Sequence, residues 1–120
     1  MNKKTLVLGA STDPSRYANM AVRSLRKHGH EVVALGNREG NIDEVEIQTK
    51  REKFKMIDTV TLYLNSERQK DYYDYILSLH PKRIIFNPGT ENAEFEEIAQ
   101  RHNISTENAC TLVLLNVGQY

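Results

Sequence analysis

Along the chain, short continuous apolar runs alternate with stretches of 3.6-residue period. Residues 5–10 (TLVLGA) are almost wholly apolar and are closed by Gly9, Ser11, Asp13 and Pro14, the pattern of a strand buried on both faces. From Ser15 the period changes: Ala18, Ala21, Val22 and Leu25 share one face, Arg16, Arg23, Arg26 and Lys27 surround it, and Gly29 follows. This predicts an amphipathic helix with Ser15 as its N-cap. Residues 30–36 (HEVVALG) predict a second strand, and a strand-helix-strand passage of this length implies parallel pairing through a crossover.

The next stretch is less regular. Residues 37–41 (NREGN) have loop composition, residues 45–47 (VEI) suit a short edge strand, and residues 54–58 suit a single helical turn. A third core strand follows at residues 59–64 (TVTLYL). Ser66-Glu67-Arg68-Gln69 fits a capping box, after which Gln69, Tyr72, Tyr73, Ile76 and Leu77 trace one helix face until Pro81 forbids continuation. Residues 83–86 (RIIF) predict a fourth strand. Asn92 then caps a helix whose Phe95, Ile98, Ala99 and His102 share a face, with Asn103 suited to a left-handed end. Residues 104–106 make a fifth strand, and residues 109–116 (ACTLVLLN) fit a strand or a short packed helix equally well. Strand and helix alternate throughout, which predicts a single doubly wound, Rossmann-like α/β domain over residues 1–120. Its mostly parallel sheet has about five strands, with helices on both faces.

Composition narrows the function classes. Sixteen Lys and Arg balance sixteen Asp and Glu in 120 residues, so no global field attracts nucleic acid or an anionic membrane. The basic run Lys50-Arg51-Glu52-Lys53-Phe54-Lys55 is offset by the acidic stretch before it, and is expected to be a solvated connection. A single cysteine, Cys110, excludes an internal disulfide framework and fits a reducing cytoplasm. The opening apolar run is too short for a signal core, and no stretch approaches the ~20 apolar residues of a membrane span. The four histidines lack metal-ligand spacing with Cys110 or a carboxylate, so no metal is expected.

In a doubly wound sheet, ligands bind beyond the carboxyl ends of the strands, where the strand order reverses. Gly9-Ala10-Ser11-Thr12 leaves the first strand and enters the first helix, where backbone amides and the positive helix end receive phosphate. It is neither a G-x-G-x-x-G fingerprint nor a Walker loop. The second strand ends Gly36-Asn37-Arg38 without the acidic residue that holds the ribose of NAD, whereas Arg38 suits a ribose phosphate such as that of NADP or coenzyme A. Tyr72, Tyr73 and Tyr75 suggest a base-stacking patch, but their helical spacing assigns Tyr72 and Tyr73 to the rim of a buried face and leaves Tyr75 exposed.

The ordered set LVLGASTDPSRYANMAVRSLRKHGHEVVALGN, TVTLYLN, IIFNPGTENAEFEEIAQRHNI and NAC resembles the small single-domain CoA-binding proteins, relatives of the CoA-binding domain of succinyl-CoA synthetase. The resemblance implies that Gly9, Ala10, Ser11, Pro14 and Arg16 meet the CoA phosphates, to which the Thr12 hydroxyl of the same loop can add a donor, and that Arg38, beside Asn37, supplies the basic residue of the second loop. It places Leu64, Asn65, Asn87, Pro88, Gly89, Thr90 and Asn92 along the pantetheine, with Cys110 in a turn near the last strand. Two contact loops depart from the family pattern, which usually has Val-Asn-Pro where Leu35-Gly36-Asn37-Arg38 stands and Gln-x-Gly where Asn87-Pro88-Gly89 stands. The resemblance supplies no catalytic residue. The expected function is therefore binding of CoA or an acyl-CoA without catalysis. The alternatives are an NADP- or nucleotide-dependent enzyme, with Glu91 or Asp13 as its acid or base, or a degenerate site in an interaction protein. A homodimer through a sheet edge or residues 111–120 is the partner arrangement considered.

Overall fold

A computed structural model describes residues 2–120. Its sheet has the order β3-β4-β2-β1-β5-β6-β7, formed by β1 (Thr5–Leu8), β2 (Val32–Leu35), β3 (Gly40–Ile42), β4 (Val45–Gln48), β5 (Thr59–Leu62), β6 (Arg83–Phe86) and β7 (Ser105–Asn108). All neighbours pair in parallel except β3 and β4, which form an antiparallel hairpin on one edge. The sheet therefore has seven strands rather than five. The extra width comes from β4, which matches the short edge strand suggested at residues 45–47, and from β3, which folds back on it so that Gly40 pairs with Ile47 and Ile42 with Val45. Loop composition hid a strand that exists only through its partner.

The central strands alternate between two apolar layers. Leu6, Leu8, Val60, Leu62, Ile84 and Phe86 join a cluster with Ile76, Phe95 and Ala99, whereas Val7, Ala34 and Ile47 join Ala18, Val22, Leu25 and Leu115. Helices α3 (Tyr73–Ser78) and α4 (Ala93–Arg101) thus cover one face. Helices α1 (Tyr17–Lys27) and α5 (Thr111–Asn116) cover the other. Residues 109–116, undecided by sequence, are mainly helical because Thr111 and Leu115 turn inward on α5.

Three local expectations shift. The N-cap of α1 is Arg16, which makes no side-chain capping bond; Ser15 instead gives its N–H (2.9 Å) and hydroxyl (2.8 Å) to Asp13. The helix expected from Ser66 is capped one residue earlier, by Asn65, whose Oδ1 accepts from the Arg68 N–H at 2.9 Å. That helix also breaks into α2 (Ser66–Gln69), a tight turn at Lys70–Tyr72, and α3. Residues 54–58 contain no helical turn. By contrast, Asn92 caps α4 by accepting from the Phe95 N–H at 3.1 Å, and Asn103 is left-handed at φ 61°. No helix among the described residues is long and apolar enough to cross a membrane.

Candidate functional site

From β1 the chain runs outward through β2 to the β3–β4 edge and then crosses back to β5 on the other side of β1, so the strand order reverses between β1 and β5. Three loops meet at the carboxyl ends of these strands. Gly9 has φ 98°, and a Cβ there would lie 3.0 Å from the Tyr63 carbonyl group. A Cβ on Gly36 would come within 2.4 Å of the Ala10 carbonyl oxygen, so the exit of β2 packs directly on the first loop. The Gly9 and Ala10 amides both donate to the Leu35 carbonyl at 2.9 and 3.0 Å. These contacts explain why small residues stand at positions 9 and 36.

Beyond the contact lies a cleft of about 470 Å³ lined by Leu8 to Asp13, Arg16, Leu35 to Arg38, Tyr63, Leu64, Arg68 and Tyr72. It brings together Gly9, Ala10, Ser11, Thr12, Arg16, Asn37, Arg38 and Leu64 of the sequence-nominated set. An adjoining notch of about 250 Å³ shares Gly9, Ser11, Arg16 and Tyr63 with the cleft and adds Asn65, Pro88, Gly89 and Thr90. Pro14, Asn87, Asn92 and Cys110 line neither cavity.

The first loop is held from behind by α1. Buried Asn19 donates to the Ser11 carbonyl at 3.0 Å, and its Oδ1 accepts from Arg23 Nε at 2.8 Å. Arg23 also reaches the Pro14 carbonyl at 3.2 Å, so Pro14 serves as a tether. The first amides of α1 have no side-chain acceptor and retain the donor capacity and positive end of a helix N-terminus. Arg16, Arg38 and Arg68 face the cleft, and none of their guanidiniums makes an ion pair or side-chain hydrogen bond among the described residues. One carboxylate, Asp13, also lines it. The Ser15 backbone N–H, then the Ser15 hydroxyl, hold its pKa below the usual value. The cleft is thus locally cationic in a chain whose charges sum to zero.

The opposite wall is built from satisfied polar groups. Asn87 donates to Thr61 Oγ1 (2.6 Å) and the Leu62 carbonyl (2.9 Å), while its Oδ1 accepts from the Thr111 N–H (2.9 Å). Asn92 Nδ2 gives to Gln69 Oε1 (2.9 Å) and the Tyr73 hydroxyl (2.8 Å). Gln69, fully buried, donates to the Leu64 and Thr90 carbonyls at 2.8 and 2.7 Å and so binds the loops after β5 and β6 together. Glu91 accepts from the Gly89 N–H at 2.9 Å and does not line the cleft. Cys110 is half-buried at the N-cap of α5 and unpaired. Tyr63 lines both cavities and packs against the core, while its hydroxyl is buried without a hydrogen-bond partner and its pKa is raised by burial. Among the described residues no group of three His, Cys, Asp or Glu is placed to hold a metal.

Sequence reasoning did not single out Gly36, Tyr63 or Arg68, and it placed Tyr72 at the rim of a buried face, where the residue is half-buried against the core and also lines the cleft. Arg68 sat inside an apparent capping box, and only the adjacency of β1 and β5 turns it towards Gly9. Tyr75 is half-buried rather than exposed, with its hydroxyl on the Glu52 carbonyl at 2.6 Å and its pKa pushed up to about 12 by burial.

Residues 3–116 match a sequence family described as a CoA binding domain. An uncharacterized protein of known crystal structure is 47% identical, with a TM-score of 0.98 over 100% of this chain and 99% of its own. A Thermus thermophilus protein known as cell-free ID.343 is 24% identical, with a TM-score of 0.85 over 98% of this chain and 90% of its own. A dinucleotide-forming acetyl-coenzyme A synthetase from Ca. Korarchaeum cryptofilum, in complex with phosphate and ADP, is similar in fold. It is 19% identical, with a TM-score of 0.72, over 89% of this chain but 25% of the synthetase. No curated protein sequence matches.

Proposed function

The chain belongs to the CoA binding domain family, and from that membership we propose that its cleft holds coenzyme A or an acyl-CoA by polyphosphate recognition, without catalysis of its own. The observation that carries the reading is the cluster of Arg16, Arg38 and Arg68 around the cleft, unengaged by protein acceptors and adjacent to the open amide end of α1. Arginine forks and helix-end amides are the donors that phosphate oxygens accept most strongly. In this reading Ser11, Thr12 and Arg16 hold the diphosphate, and Gly9 and Ala10, whose amides are given to the Leu35 carbonyl, line its approach. Arg38, with Asn37 beside it, holds the ribose 3′-phosphate, and the pantetheine arm crosses Tyr63 and Leu64 into the notch of Asn65, Pro88, Gly89 and Thr90.

Asn87 and Asn92 hold that notch in shape and do not reach the ligand, because their amide groups are committed to protein partners. The non-catalytic reading rests on the cleft's one carboxylate: Asp13 is fastened to Ser15 and kept anionic, which leaves it poorly suited to general acid–base work. Calorimetric titration with CoA tests the proposal. Saturable binding is expected, with Arg38→Ala weakening it by about 1.5–3 kcal/mol; no heat of binding at millimolar CoA contradicts it.

A further inference from the structure

Tyr72 stands apart from its neighbours Tyr73 and Tyr75. The Tyr73 ring is stacked on Phe95 at 4.3 Å, and the Tyr75 hydroxyl is fixed to Glu52. Tyr72 is half-buried, packed in part against the core, and lines the cleft together with Arg68, Leu35 and Arg38. One ring face is already covered. The Arg51 guanidinium carbon lies 4.0 Å from the ring centroid, and Arg51 Nη1 donates to the Asp71 carbonyl at 2.7 Å. The segment between β4 and β5 that carries Arg51 is pinned by the Glu52 carbonyl on Tyr75 and by Phe54 against the core. The basic run that looked like a mere connection therefore fixes an aromatic plane at the mouth of the cleft. A guanidinium over one face orients the ring and favours cation–π stabilisation.

We propose that Tyr72 is the base-stacking residue of the cleft and that Arg51 is its positioning residue, so that the site reads a purine ring as well as phosphates. The inference rests on the proposed function, since it takes the ligand to be an adenine nucleotide. A flat, half-buried ring at the lip of a cationic cleft suits a base whose phosphates reach Arg38 and Arg68. Stacking of this kind is worth about 1–3 kcal/mol per base, or about 5- to 150-fold in affinity.

The test titrates three ligands: CoA, adenosine 3′,5′-bisphosphate, which lacks the pantetheine, and 4′-phosphopantetheine, which lacks the base. Tyr72→Leu should weaken the two base-bearing ligands about tenfold or more and leave 4′-phosphopantetheine unchanged. Tyr72→Phe should restore wild-type affinity, and Arg51→Ala should give a smaller loss confined to the base-bearing ligands. Should Tyr72→Leu fail to fold, nuclear Overhauser contacts between adenine H2 or H8 and the Tyr72 ring in the wild-type complex decide the matter. Their presence supports stacking and their absence overturns it. CoA bound equally well by wild type and Tyr72→Leu overturns the inference while the proposed function stands. Bisphosphate binding that depends on Tyr72, without CoA binding, sustains stacking and overturns the proposed function. Binding of neither ligand by the wild type overturns both.

Discussion

The two walls of the cleft solve opposite problems. The wall made by the loops after β5 and β6 carries Asn87, Asn92, Gln69 and Thr90, all buried and all hydrogen-bonded within the protein. Arg16 and Arg38 on the facing wall, and Arg68 on the rim beside Gln69, are exposed and without protein partners. Buried polar groups must find partners during folding, because an orphaned one costs about 1–3 kcal/mol. Exposed guanidiniums remain hydrated and can exchange water for phosphate at little folding cost. The lesson is that polar residues at the mouth of an α/β sheet divide into those that shape the site and those that meet its ligand. Their hydrogen-bond partners tell the two apart.

The division is sharpest where a single substitution should move stability and leave binding alone, or the reverse. Asn87→Leu removes three hydrogen bonds and orphans the Thr111 N–H, leaving Thr61 Oγ1 only its 2.8 Å bond with Thr111 Oγ1. Stability measured by urea unfolding should fall by about 3 kcal/mol, while CoA affinity of the folded fraction stays near wild type. Arg16→Ala should do the opposite: CoA binding weaker by about 1.5 kcal/mol with unfolding shifted by less than about 0.5 kcal/mol. A stability loss from Arg16→Ala as large as that from Asn87→Leu would erase the distinction. The smallest effect belongs to the one carboxylate on the cationic wall. Asp13→Asn keeps an acceptor for Ser15 and removes a charge that opposes phosphate, so CoA should bind about twofold more tightly at low salt, with the gain fading as salt screens it.

The central strands were legible in the sequence because burial on both faces leaves an unbroken apolar run, as in residues 5–8 and 83–86. The hairpin of β3 and β4 was half legible: Val45 and Ile47 alternate inward, but Gly40 and Asn41 become strand only by pairing with Ile47 and Glu46. The cleft-lining residues of the first loop could be named from their place after the first strand. Asn87 and Asn92 were named for the same reason, and their inward commitments depend on Thr61, Thr111 and Gln69, residues distant in sequence. Arg68 and Tyr72 were not singled out as cleft-lining residues because helix periodicity describes which face is buried. It does not say which end of the helix meets the reversal between β1 and β5.

The central claim is that the free guanidinium of Arg38 reads a ribose phosphate across the cleft from a pre-built wall. It is tested most directly by a double-mutant cycle in calorimetry, titrating wild type and Arg38→Ala with CoA and with dephospho-CoA. The account predicts that removing the 3′-phosphate costs wild type about tenfold or more in affinity, costs Arg38→Ala almost nothing, and so yields a coupling of about 1.5 kcal/mol. Equal affinities of the wild type for the two ligands, or equal losses in both proteins, would contradict it.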